Sequence, residues 1–218
     1  MKMHNLHILW DWNGTLVNDM DLCVYVTNLF MKKHHNKKIT HETYKQKFTF
    51  PVIDFYHAIG FDFKDISFTQ MAEEWISTYK QHFHSKSALN GEVLETLNFV
   101  KNQGLKQSIF SACEVNLLQH SINHLELNDY FHKVHGVDNN EANGKESLAV
   151  KIIEDNHIDP DETILFGDTI HDYEVAKSTG ISCVLIANGH QCSKRLQKTG
   201  APVLEHIGEV PAYLKSLQ

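Results

Sequence analysis

The stretch Leu6-His7-Ile8-Leu9-Trp10-Asp11-Trp12-Asn13-Gly14-Thr15-Leu16 decides how the rest of the chain is read. Leu6–Trp10 is short and apolar, ends in Asp11, and meets turn chemistry at Asn13-Gly14. It reads as a buried strand running into a loop. In an open parallel sheet, ligands bind outside the carboxyl ends of the strands. Asp11 therefore becomes the first candidate site residue.

Working outward, Leu22, Val26, Leu29 and Phe30 fall at i, i+4, i+7 and i+8, an apolar helical stripe. Trp75, Tyr79 and Phe83 recur every four residues, and no alternating strand is visible before about residue 88. The second half changes rhythm. A helix at Glu92–Asn102 stops at Gly104, and the apolar run Leu105–Phe110 ends in Ser111-Ala112. A helix at about Val115–His124 and a strand at Lys133–Val137 follow. Gly144-Lys145 opens a helix whose apolar face is Leu148, Ala149, Ile152 and Ile153. Thr163–Phe166 is a strand ending in Gly167-Asp168, and a helix to Lys177 is stopped by Gly180. Ile181–Ala187 is a further strand. Strands alternating with helices predict an α/β fold, a Rossmann-like, doubly wound parallel sheet. Residues 1–16 plus 89–218 are expected to form the α/β core, and residues 17–88 a small inserted α-helical cap.

The 218 residues allow one core and a small insertion, and 42% hydrophobic with 22% charged content is that of a globular chain. The net charge of −7, with no run of more than two Lys or Arg, argues against nucleic acid or an anionic membrane as partner. The four cysteines form no C-x-x-C pair. The first apolar run is too short for a signal peptide, and nothing approaches the ~18 apolar residues of a membrane span. A cytoplasmic protein, monomer or homodimer, is expected. Sixteen histidines are scattered without zinc-like spacing and read mostly as surface residues.

Asp11, Ser111 and Asp168 each follow a strand, so one rim should gather them. Asp11 and Asp168, with Asp172 one helical turn on, supply hard oxygen ligands suited to Mg²⁺. Lys145 and Ser111 suit an anion, and the turn at Asn13-Gly14-Thr15 lets backbone N–H groups approach a phosphate. A carboxylate can attack phosphorus, with metal and lysine neutralising the oxygens. The bland alternatives are a turn-forming Asp11, a strand-ending Ser111, a solvated Lys145 and an Asp172 that only favours its helix dipole.

Asp11-Trp12-Asn13-Gly14-Thr15-Leu16 resembles the first motif, D-x-D-G-T-L, of the haloacid dehalogenase superfamily. Gly167-Asp168-Thr169-Ile170-His171-Asp172 resembles its fourth, G-D-x-x-x-D. Ser111 and Lys145, in Asn143-Gly144-Lys145, match the second and third in order and spacing across residues 6–190. The helical stretch after the first motif, and Ile186-Ala187-Asn188-Gly189-His190, are similar to the phosphoglycolate-phosphatase-like branch. The resemblance implies a Mg²⁺-dependent phosphatase with Asp11 as nucleophile and metal ligand. Asn13 would offer its backbone carbonyl to the metal. Gly14, Thr15, Ser111 and Ala112 would hold the phosphoryl group, with Lys145 pairing Asp11. Asp168 and Asp172 would complete the metal site. The substrate expected is a small phosphorylated metabolite, phosphoglycolate-like or a sugar phosphate.

Asn13 departs from that pattern. The family's usual aspartate two residues after the nucleophile gives and takes a proton, and an amide does neither. Its loss forfeits ~10²–10⁴ in rate, roughly 3–5 kcal/mol. Three explanations stand open: an enzyme restricted to good leaving groups or slow turnover, a proton relay through His171 or His190, or a substitution made to trap a complex. The alternative functions are a catalytically weak domain binding phosphate or a protein, and a phosphotransferase or mutase. Within the cap, Phe48-Thr49-Phe50-Pro51 and Phe55-Tyr56-His57 are candidate specificity segments.

Overall fold

A computed structural model describes residues 5–35, 37–137, 145, 148–149 and 158–217. Asn143, Gly144, Ile152 and Ile153, which entered the sequence reading, lie outside the described residues. The leading run forms β1 (His7–Trp10), buried along Ile8, Leu9 and Trp10. Consecutive buried residues mark a strand covered on both faces. Ile8 and Trp10 join the larger apolar cluster, while Leu9 joins a second cluster with Phe110, Leu165 and Val175. The period of two thus supplies one core on each side of the sheet.

After β1 the chain makes β2 (Val17–Asn18), then α1 (Met20–His35), α2 (His41–Lys47), α3 (Val52–Ala58) and α4 (Phe68–Lys86). It returns through β3 (Ala88–Leu89), which pairs antiparallel with β2. This pair corrects the expectation of no strand in that region. Two residues are too few to display an alternating pattern. α4 begins with a capping box between Ser67 and Gln70. α1 packs against α4. Leu22, Val26 and Phe30 are buried as expected, but Leu29 is exposed, because the buried stripe of α1 turns through Cys23, Thr27 and Met31 instead.

The remaining chain alternates. It runs through α5 (Val93–Asn102), β4 (Lys106–Glu114), α6 (Val115–His124), β5 (Val134–Val137), β6 (Thr163–Gly167), α7 (Ile170–Thr179) and β7 (Ser182–Ile186). It closes with α8 (Ser193–Leu196), β8 (Val203–Leu204) and α9 (Val210–Ser216). The sheet order is β5-β4-β1-β6-β7-β8, and every pairing within it is parallel. The sixth strand, β8, is absent from the sequence reading for the same reason as β2 and β3.

Register fixes the rim. Trp10 lies opposite Ile109 on β4 and Phe166 on β6. Asp11 and Asp168 therefore leave the sheet at one end, and Ser111, inside the longer β4, stands within a residue or two of their level. β4 also shifts register between Phe110 and Glu114, which frees Ser111 from regular pairing.

Candidate active site

Asp11 is buried, and its main-chain N–H donates to the carbonyl of Phe166. Lys145 Nζ stands 2.7 Å from Asp11 Oδ1 and 2.5 Å from Asp172 Oδ1, and donates to the Phe110 carbonyl at 3.3 Å. Lys145 is thus a buried cation and not a solvated helix-start residue. Burial alone would lower its pKa, yet Asp11 and Asp172 together hold it raised. Burial likewise acts to raise Asp172, but Lys145 outweighs it and keeps this carboxyl below the usual range. Asp11 is pushed up by burial and by Asp172 and Asp168, against the pull of Lys145.

Asp172 serves two structures with its two oxygens. Oδ2 accepts from the Thr169 N–H at 3.0 Å and completes the capping box of α7. Oδ1 faces Lys145. The helix-start reading and the site reading of this residue are both satisfied by one carboxylate.

Asp168 is fully buried behind the first loop. Its Oδ2 accepts from the His190 N–H at 2.5 Å and its Oδ1 from Thr15 Oγ1 at 3.3 Å. Burial, with Asp172 nearby, raises it to about 6 against the lowering pull of His190. A side chain at Gly14 or Gly189 would strike the Asp168 carboxylate, and Gly14 has φ near +80°. Two loops can close on this carboxylate only because neither residue carries a Cβ. Thr15 accordingly turns its hydroxyl to Asp168, and neither it nor Gly14 lines the cavity in front of Asp11. Ser111 and Ala112 do line it. Ser111 Oγ accepts from the Cys113 N–H at 3.1 Å, which leaves its own O–H as a donor.

Carboxylate oxygens of Asp11, Asp168 and Asp172 all lie within 4.8 Å of one another. Three buried acids face one lysine, and burial first, then the neighbouring carboxylates, holds Asp11 and Asp168 raised. A hard divalent cation suits such an all-oxygen donor set.

Asn13 faces the other way. Its Nδ2 donates to Asp19 Oδ2 and to Tyr79 Oη, both at 2.9 Å. Tyr79 Oη donates to the same Asp19 oxygen at 2.7 Å. His190 Nε2 lies 3.2 Å from Asp19 Oδ1, and His190 Nδ1 lies 3.2 Å from Tyr44 Oη. Burial would lower His190, but Asp19 and then Asp168 lift it to about 9, which favours its imidazolium form. His171 accepts the Lys145 N–H at its Nε2, 3.2 Å away, and stacks on Phe50. Both histidines line the cavity, and each is engaged. They are also buried, unlike the surface placement expected of most histidines.

A family model described as haloacid dehalogenase-like hydrolase matches residues 8–186. The chain belongs to the haloacid dehalogenase-like hydrolases. No curated protein sequence matches it. A haloacid dehalogenase-like family hydrolase from Streptococcus pneumoniae is 20% identical with a TM-score of 0.78, covering 97% of this chain and 99% of that one. A predicted phosphatase from Clostridium acetobutylicum is 16% identical, with a TM-score of 0.79 and coverage of 97% and 99%. A predicted phosphoglycolate phosphatase from Haemophilus somnus is 16% identical with a TM-score of 0.79, each chain covered over 100%. At these identities the likeness establishes the fold.

In this hydrolase the sequence reading missed Asp19 and Asn90. Asp19 sits just before α1, where an aspartate reads as a helix cap, and its partners Tyr79 and His190 are remote in sequence. Asn90 Nδ2 donates to the carbonyls of Gly14 and Thr15, at 2.9 and 2.8 Å, and its N–H to the carbonyl of Leu16. It clamps the loop after Asp11 from a position just beyond β3. An asparagine beside a glycine reads only as a turn, so no signal in the sequence marks it. Among the described residues, no helix is long and apolar enough to cross a membrane.

Proposed function

We propose that this hydrolase cleaves small phosphate monoesters through an aspartyl-phosphate on Asp11, with Mg²⁺ held by Asp11, Asp168, Asp172 and the Asn13 main-chain carbonyl. The observation that carries the reading is the buried cluster of Asp11, Asp168 and Asp172 around Lys145. Magnesium bound there would offset the carboxylate charge and that of the phosphoryl oxygens.

Lys145 grips Asp11 Oδ1, which leaves the other carboxylate oxygen to attack phosphorus. The Ser111 hydroxyl and the Ala112 main-chain amide offer donors to the phosphoryl oxygens. Thr15 and Gly14 act from behind, holding Asp168 and the loop in place. Asn13 has no proton to give, and His190 and His171 are tied to Asp19 and to the Lys145 amide. The favoured reading is therefore an enzyme that expels its leaving group without a dedicated acid beside the nucleophile. His190, as a cation, adds positive charge to this side of the site.

The test is release of inorganic phosphate from a panel of monoesters, with Mg²⁺ or with chelator, by wild type and Asp11→Ala. Metal-dependent turnover lost in Asp11→Ala supports the reading. Turnover that persists in Asp11→Ala, or is indifferent to chelator, overturns it.

A further inference from the structure

The cavity in front of Asp11 has a volume of about 170 Å³ and two chemically distinct ends. The core end carries Asp11, Lys145, Ser111, Asp168 and Asp172. The cap end is walled by aromatic and aliphatic side chains, among them Phe48, Phe50, Phe55, Met71, Trp75 and Ile76. Both candidate specificity segments contribute here, through Phe48, Phe50, Phe55 and Tyr56. Few polar atoms reach this end, and one of them, Trp75 Nε1, is a buried donor without a hydrogen-bond partner among the described residues. Tyr79 Oη is bound to Asp19 and Tyr44 Oη meets His190.

Two consequences follow for the part of the substrate beyond phosphorus. Among the described lining residues Lys145 is the sole Lys or Arg, and Asp11 and Asp172 take its charge. A second anionic group, such as the carboxylate of a glycolate, would enter an apolar wall where His190 is already paired with Asp19, and with Glu114 nearby. A sugar would bring several hydroxyls to a mostly aromatic and aliphatic wall that could pair few of them. An aromatic ring, by contrast, meets stacking partners, and a cavity of ~150 Å³ is large enough for benzene.

The second consequence comes from Asn13, independently of the wall. Its amide is fixed on Asp19 and Tyr79 and cannot protonate a departing oxygen. An aliphatic alcohol would have to leave as a strongly basic alkoxide. A phenol leaves as a phenolate of parent pKa ~10, like a tyrosine side chain, and needs protonation far less.

Resting on the phosphatase reading above, we infer that the substrate class is a phosphate monoester of an uncharged, single-ring phenol. The ring sits against the cap wall and the phosphoryl group at Asp11. An Asp11 oxygen forms the new bond to phosphorus, and the aryl oxygen–phosphorus bond breaks with its electron pair on the phenolate. Water then attacks phosphorus, the aspartyl oxygen departs, and the proton released is shared between inorganic phosphate and phenolate. The net products are a phenol and inorganic phosphate.

The experiment compares kcat/KM of the Mg²⁺-loaded enzyme for phenyl phosphate, glycerol phosphate and phosphoglycolate, with acetyl phosphate as a small acyl phosphate whose leaving group needs no acid. Phenyl phosphate should exceed glycerol phosphate and phosphoglycolate by about 100-fold or more, the range that general acid help spans. Across ring-substituted phenyl phosphates the rate should fall steeply as the phenol pKa rises. Ile76→Arg should move the ratio of phosphoglycolate to phenyl phosphate upward by about tenfold or more, as a desolvated cation would. If acetyl phosphate is hydrolysed in an Asp11-dependent way while glycerol phosphate or phosphoglycolate matches phenyl phosphate, the aryl assignment falls and the phosphatase reading stands. If neither acetyl phosphate nor any of the esters is turned over, both fall.

Discussion

Asn13 donates its side-chain amide to Asp19, six residues further on, at 2.9 Å. Asp19 is buried, and burial would raise its pKa, but His190, Tyr79 and Asn13 hold it lowered. The residue that departs from the family pattern is therefore not an idle replacement. It supplies a neutral donor to a carboxylate that an aspartate at the same position would repel.

Asn13→Asp should consequently gain activity and lose stability. A second carboxylate beside Asp19 raises the pKa of one of the two and creates an acid. Turnover of glycerol phosphate should rise by about 10²-fold or more. Losing the two donated hydrogen bonds costs about 1–2 kcal/mol, lowering Tm by about 3–6 °C. Steady-state kinetics and thermal melts on the same preparation check both. A faster enzyme that melts no lower would mean the Asn13–Asp19 contact contributes nothing.

Lys145→Met removes the cation between Asp11 and Asp172 while keeping much of its volume. Breaking a buried pair from one side costs about 3–5 kcal/mol. Phosphate release should drop by about 10²–10³-fold. The surplus negative charge should also make Mg²⁺ raise Tm more in the variant than in wild type, since a ligand stabilises in proportion to its affinity for the folded chain. An equal or smaller magnesium shift would argue that the ion does not bind beside Lys145.

Asn90→Asp retains the shape of Asn90 but cannot donate to the carbonyls of Gly14 and Thr15. Leaving these buried acceptors unpaired should cost about 2 kcal/mol and lower kcat, because the loop that carries Asn13 loses its clamp. Denaturant unfolding and phosphate release measure the two effects. Wild-type stability in the variant would show that the side-chain amide is dispensable.

His7 and His135 predict how stability depends on pH. Burial first, then neighbouring histidines and lysines, lowers each to about 4. The unfolded chain takes up a proton at each near 6.5, whereas the folded chain resists until about 4. Every proton bound in that window favours unfolding, so the contribution of these two histidines is full above 6.5 and declines as the pH falls through it. Tm should drop between about pH 7 and about pH 5, and His7→Gln with His135→Gln should flatten the decline. An unchanged slope in the double variant would assign the acid sensitivity to other groups.

The legible parts of this molecule are those written in local pattern. Leu6–Trp10, Leu105–Phe110 and Thr163–Phe166 are continuous apolar runs, and each ends in a polar residue that a parallel sheet must deliver to one rim. Asp11, Ser111 and Asp168 could be grouped without coordinates for that reason. β2, β3 and β8 could not be read, because strands of two residues have no period. The exposure of Leu29 is not legible either, because the stripe position alone does not say which flank of α1 the neighbouring helix covers.

The sequence by itself determined the fold class, the order of the strands' terminal residues and the donor chemistry of Asp11, Lys145, Asp168 and Asp172. Tertiary structure alone decided what those groups touch. Asp172 splits its oxygens between a helix cap and Lys145. Thr15 turns away from the cavity to Asp168, and Asn13 turns to Asp19. Hydropathy and spacing follow from forces between near neighbours in the chain, so they can be read along it. Side-chain pairing and pKa depend on distance and burial, which exist only after remote segments have packed together.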